Sequence, residues 1–211
     1  MTTIAAPEPL RIEVRVMELF ALVSEGLAGA TGAFLEGDRA AARVLVERDA
    51  LIDRTYHELE DLVVRQLTQR GTASCDRRVL LCVFRIVPEL ERSGDLAEHI
   101  AQRAGTRLSH ELTPRMRGLV EQMGRVGVEM WRQVTDAYID RDGSVADRLT
   151  ERDEEIDDLH VSLTAEISSG AVTLPVAIEM ALVARFYERL GDHAVNVARR
   201  VNEMVDSTSV L

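Results

Sequence analysis

The chain repeats itself, and this constrains its fold more than any other feature. The stretch Glu91–Arg103, ERSGDLAEHIAQR, returns 97 residues later as Glu188–Arg200, ERLGDHAVNVARR, with 7 of 13 positions identical. A second pair, ERDALIDRTYHELE at Glu47–Glu60 and ERDEEIDDLHVSLT at Glu151–Thr164, matches at 6 of 14. Self-similarity in this order means one structural unit used twice. Each half of the 211 residues must then supply the same elements in the same sequence.

Those elements are helical. Turn residues cluster at 36–38, 70–74, 104–114, 141–144 and 168–175, and the segments between them are long and punctuated by little else. Helices are expected over about 10–36, 38–69, 74–104, 112–141, 144–168 and 174–206. Aromatic residues make up only 4% of a chain rich in Ala, Leu, Val, Glu and Arg, a bias that suits helices and not sheets. Leu45, Ile52, Leu59 and Val63 keep heptad-like spacing in the second helix, as do Val83, Ile86, Leu90, Ala97 and Ile100 in the third. Met116, Met123, Met130 and Trp131 are expected in the core. Pro114 and Pro175 suit first helical turns, whereas Pro88 falls inside the third helix and is expected to kink it.

The fold class that follows is all-α, with six long helices forming two pseudo-symmetric three-helix bundles in tandem. Residues 1–9 read as a leader, 10–106 as the first repeat and 107–211 as the second.

Charge narrows the function. Thirty-six acids against 25 bases give a net charge of −11, and the bases form no stripe, which argues against a nucleic-acid partner. Cys75 and Cys82, 7 residues apart on one helix, stand roughly 10 Å apart by helical rise and read as reduced core residues. No basic segment followed by an apolar run opens the chain, and no stretch of 18 apolar residues occurs, so a cytoplasmic protein is expected, with peripheral membrane contact only. There is no nucleophile elbow, phosphate loop or dinucleotide fingerprint.

What the repeats do share is carboxylates. Four times an acid stands four residues before an aspartate: Asp49 and Asp53, Glu91 and Asp95, Asp153 and Asp157, Glu188 and Asp192. On a helix such residues share a face, where like charges cost about 0.2–0.5 kcal/mol unless compensated. Arg48, Arg92, Arg152 and Arg189, each adjacent in sequence, are candidates to compensate them. Two such pairs on neighbouring helices make a four-carboxylate site suited to Mg²⁺, Mn²⁺ or Ca²⁺, and also open to iron or zinc. Solvated faces laced by arginine are the plainer alternative. His57, His99, His160 and His193 lie on the same helices, with His160 best placed to complete a metal shell. Gly94 and Gly191, mid-helix in the same context, suggest that a helix or ligand approaches the backbone there.

Paired ERxGDxAxxIA segments, each preceded by an E-R-D-x-x-I-D helix, resemble the PhoU proteins, the phosphate-uptake regulators of bacteria. RIVPELERSGDLAEHIA, YERLGDHAVNVARRV and MGRVGVEMWRQVTDAYIDRD carry the resemblance, which runs from about Leu10 to Met204. The leader MTTIAAPEP is longer than the family's usual start, and Leu96 stands where the second repeat has His193.

The resemblance implies two three-helix bundles, often dimeric, whose acid motifs hold metal ions or small metal clusters. Residue by residue the motifs fall on Asp49, Asp53, Glu91, Asp95, Asp153, Asp157, Glu188 and Asp192. It further implies partners: the ATPase subunit of a phosphate ABC transporter and a phosphate-sensing histidine kinase. Uptake and the phosphate-starvation response would be restrained when phosphate is plentiful, by binding and not by catalysis. A carboxylate-bridged di-metal enzyme of the ferritin-like kind is the alternative, although the chain lacks its Glu-x-x-His motif. A metal-free helical scaffold is the third.

Overall fold

The computed structural model describes residues 8–69, 74–106 and 108–208. Most of the expected leader, most of the 70–74 turn, Arg107 and the side chain of Cys75 lie outside them. Among the described residues there are six long helices and one of a single turn. They are α1 (Glu8–Glu36), α2 (Arg39–Thr68), α3 (Ser74–Ala104), α4 (Leu108–Glu111), α5 (Pro114–Asp140), α6 (Val145–Ser168) and α7 (Leu174–Thr208).

Local chemistry sets the boundaries. Gly37 sits in the left-handed region at φ 69°, which lets α1 close through a bond from the Asp38 amide to the Ala33 carbonyl at 2.9 Å. The Asp38 carboxylate then caps α2 by accepting from the Ala40 and Ala41 amides at 2.9 and 3.0 Å. The second repeat copies this turn with Arg141 at φ 54° and with Asp142, whose carboxylate accepts from the Ser144 amide at 2.9 Å. Arg141 accepts the left-handed conformation while pairing with Glu13 at 2.6 Å and lying over the Tyr138 ring.

One stretch departs from expectation. The region read as a long turn followed by a helix from 112 holds the single turn α4, and α5 starts at Pro114. Thr113 explains the start, because its hydroxyl accepts from the Met116 amide at 3.1 Å while Pro114 occupies the first turn. Arg117 then fixes the junction, donating to the Ser109 carbonyl at 3.0 Å and to the Leu35 carbonyl at 2.7 Å. The loose carbonyls at the end of α1 are thus met by a side chain far along the sequence. α3 runs through Pro88 as one continuous helix.

Helices α1, α3, α5 and α7 form an inner four-helix layer, with α1 on α3, α3 on α7, α7 on α5 and α5 on α1. α2 lies on α1 and α3, and α6 lies on α5 and α7, so each repeat is a three-helix unit with two inner helices and one outer. Met116, Met123, Met130 and Trp131 are fully buried in the shared core, and Cys82 is a free buried thiol. α1 is long and apolar enough by composition to cross a membrane, with mean hydropathy 1.2 over its richest window. Val16, Leu19, Phe20, Val23, Leu27 and Phe34 along it are nevertheless fully buried in this core.

Candidate metal centre

The acid pairs line the seams between outer and inner helices. In the first repeat Asp49 and Asp53 on α2 face Glu91 and Asp95 on α3. One donor oxygen from each of Asp49, Asp53 and Asp95 lies within 4.8 Å of the others. Among the described residues this is the one group of three acids or imidazoles that converges so closely. Asp49 and Asp95 are half-buried and Asp53 is exposed, so the group opens at one side.

Electrostatics records the crowding. Burial, then Glu98, Asp95, Asp53 and Glu91, push the Asp49 carboxyl up to about 6. Glu91 is raised by burial and by Asp95 and Asp53, against partial relief from Arg92 and His57. Asp95 is raised by burial and Asp53. One buried oxygen of Asp49, Oδ1, has no hydrogen-bond partner among the described residues.

Three of the four adjacent arginines engage other acids, with Arg92 giving Glu91 partial relief. Arg48 reaches Glu25 at 2.9 Å on α1, Arg92 reaches Glu89 at 3.6 Å, and Arg152 pairs with Glu129 and with Glu155.

In the second repeat Asp153 and Asp157 on α6 face Glu188 and Asp192 on α7. Burial, Asp192, Asp157 and Glu188 push the Asp153 carboxyl up to about 6, with Arg199 opposing them. Glu188 is raised by burial and by Asp192 and Asp157, against Arg185 and His160. Its Oε2 is buried without a partner among the described residues, whereas Oε1 is engaged by Arg185.

The two glycines answer for the close approach. A Cβ on Gly191 would collide with Oδ1 of Asp153, and one on Gly94 would stand 2.6 Å from Cδ1 of Ile52. What comes close at each is a side chain of the outer helix, and in the second repeat it is one of the acids.

The histidines sort differently from their sequence neighbours. His193 is buried on α7 and its Nδ1 meets Oε2 of Glu89 on α3, which joins the repeats. Burial acts to raise Glu89, but the bond to His193 and its charge hold that carboxyl below its ordinary value. The His57 Nδ1 lies 2.7 Å from the Asp53 carbonyl oxygen, and the His99 ring lies 5.4 Å from that of Phe186. Sequence reasoning missed Glu98, Arg185 and Arg199. Their helical offsets of three from Asp95, three from Glu188 and seven from Asp192 were the available signal.

An all-carboxylate set with crowded charges and an orphaned buried oxygen fits a hard, oxygen-seeking cation. Asp49, Asp53 and Asp95 would hold it, with Glu91 beside them. A cation there would supply positive charge between α2 and α3.

A family model described as the PhoU domain matches residues 16–104 and again 120–201. Each match contains two of the four acid pairs. The phosphate-specific transport system accessory protein PhoU homolog 2 of Mycobacterium tuberculosis is 31% identical over 193 residues, 89% of this chain and 89% of that protein. The phosphate-specific transport system accessory protein PhoU of Serratia marcescens is 26% identical over 94% of this chain and 83% of its own length. The crystal structure of PhoU from Pseudomonas aeruginosa superposes with a TM-score of 0.88 at 25% identity, covering 94% of this chain and 97% of that one. With the domain matched once in each repeat and such relatives along most of its length, the chain belongs to the PhoU family.

Proposed function

We propose that this protein is a regulatory accessory protein of phosphate transport, working in the cytoplasm by binding and not by catalysis. The observation that carries the reading is the family match in both repeats, each copy holding its own acid pairs. Relatives named as accessory proteins of the phosphate-specific transport system support it. In the fuller form of the proposal the protein is a homodimer that binds the ATPase subunit of a phosphate ABC transporter and a phosphate-sensing histidine kinase. It restrains uptake and the starvation response when phosphate is abundant.

A membrane partner reached through a soluble subunit requires only peripheral contact. Iron, zinc, Mn²⁺ or Mg²⁺ at the acid sets Asp49, Asp53, Glu91, Asp95 and Asp153, Asp157, Glu188, Asp192 would neutralise the carboxylates and set the spacing of outer and inner helices. Differential binding of partners to the two spacings is then enough to pass a signal. Deleting the gene and assaying phosphate-regulated alkaline phosphatase in high phosphate tests the reading: derepression is expected, and unchanged repression in a strain with no second copy would sink it.

A further inference from the structure

Helix α1 carries two apolar faces, and the core uses one of them. Val16, Leu19, Val23 and Leu27 are fully buried. On the opposite side Leu10, Val14, Met17, Ala21, Ser24 and Ala28 follow one another at alternating steps of four and three, which keeps them in one stripe over about five turns. Leu10 and Val14 are 54% and 57% exposed, and Met17, Ala21, Ser24 and Ala28 line a hollow with Arg132 and Thr135 of α5. Among the described residues α1 is the one helix long and apolar enough to cross a membrane, and this second stripe is the share of that apolarity which the core does not absorb. The other repeat shows what a solvated face looks like. Matched through the turns at Asp38 and Asp142, the α5 counterparts of Met17, Ala21 and Ala28 are Glu121, Arg125 and Arg132.

We infer that this stripe is the seam on which a second copy of the chain docks, α1 against α1 in antiparallel register about a two-fold axis level with Leu19. The inference rests on the homodimer reading above and names its surface. Size complementarity selects a second copy: about that axis Leu10 meets Ala28, Val14 meets Ser24 and Met17 meets Ala21, so every layer couples a larger side chain with a small one. Charge agrees. The Phe20 ring lies 6.5 Å from that of Trp131 and 5.4 Å from that of Tyr138, which puts the same axis beside Val134 and Thr135 of α5. Arg132 and Asp136 flank that level, are exposed and form no ion pair among the described residues, and the two-fold brings Arg132 of each copy opposite Asp136 of the other. The acids bordering the stripe, Glu18 and Glu25, are already held by Arg15 and Arg48. A face two helices wide and as long as α1 offers about 800 Å², the amount that each partner of a standard interface buries.

The test is sedimentation velocity of the full-length protein, with wild type expected to be dimeric. Val14→Glu and Ala21→Glu each place a charge in an apolar layer twice per dimer, and each is expected to weaken dimerisation on the order of 100-fold. Val161→Glu, on α6 at a position 65% exposed, leaves it unchanged. Arg132→Asp and Asp136→Arg each set like charges opposite one another and weaken the dimer about tenfold, whereas the two substitutions combined restore it. A damaged fold cannot mimic that recovery. All the substituted positions are exposed, and circular dichroism checks that each variant remains helical. A dimer indifferent to Val14→Glu and Ala21→Glu, or a combined variant no tighter than its singles, overturns this seam and leaves the homodimer reading intact. A monomeric wild type removes both.

Discussion

Asp49 and Asp153 occupy equivalent points in the two repeats, and both carboxyls are pushed up to about 6, first by burial and then by neighbouring acids. A carboxyl whose folded value lies above its unfolded value of 3.8 contributes stability below about pH 4, and loses that contribution as pH rises through about 6. Metal-free Asp49→Asn should therefore gain thermal stability relative to wild type between about pH 4.5 and about pH 7.5. Paired melts in chelator check this, and a flat difference would contradict the burial and repulsion described for Asp49. Glu89 has the opposite sign: its lowered carboxyl contributes stability above its ordinary value of 4.5 and loses it as pH falls further. His193→Ala leaves that carboxylate half-buried without its imidazole, at an expected cost of about 1–3 kcal/mol in urea unfolding at neutral pH.

At the scale of elements, the long helices were legible because repeated apolar periodicity, strong helix formers and a few turn clusters all pointed the same way. The turn α4 was not, because four residues carry too little periodicity and what anchors the junction is Arg117 reaching back to Leu35. The acid pairs were legible as i,i+4 spacings on single helices. Their convergence across the seam, the diversion of Arg48 and Arg152 to other acids, and the arrival of Glu98 depend on how one helix is rotated against another, which spacing alone does not specify. Gly124 makes the same point, since a Cβ there would stand 2.7 Å from Oγ1 and 3.0 Å from Cβ of Thr31 on α1. A Cβ atom cannot swing aside as a side-chain tip can, so Gly124→Ala should destabilise by about 1–3 kcal/mol despite its better helix propensity. Gly191→Ala meets only the tip of Asp153, and the expected outcome is nearly unchanged stability with weaker Mn²⁺ binding in the second repeat. Urea unfolding of the two variants, with Mn²⁺ titration of the second, separates a packing glycine from a site glycine.

For the whole molecule, the internal symmetry creates a mutual dependence between the repeats. Each contributes two helices to the inner layer, and the layer is held across the divide by polar bonds as well as by packing. The hydroxyls of Thr31 on α1 and Tyr187 on α7 share a buried bond of 2.8 Å, His193 meets Glu89, and Arg103 meets Glu179 at 2.9 Å. Val16, Phe20 and Leu27 of the first repeat belong to the same buried cluster as Trp131, Val134 and Tyr138 of the second, and the Phe20 ring lies 5.4 Å from that of Tyr138. A repeat taken alone would expose that inner face, and burial of each such large side chain is worth about 1.5–3 kcal/mol. Cooperativity should thus belong to the pair. Wild type is expected to unfold in urea in one transition, with fluorescence of Trp131 and far-ultraviolet circular dichroism coinciding. Fragments 1–106 and 107–211 should each be helical yet melt without a sharp transition, and mixing them should restore one. Two independent sharp transitions in the separate fragments would show that the inner layer is an interface between finished domains, and that a cation in one repeat has no packed route by which to influence the other.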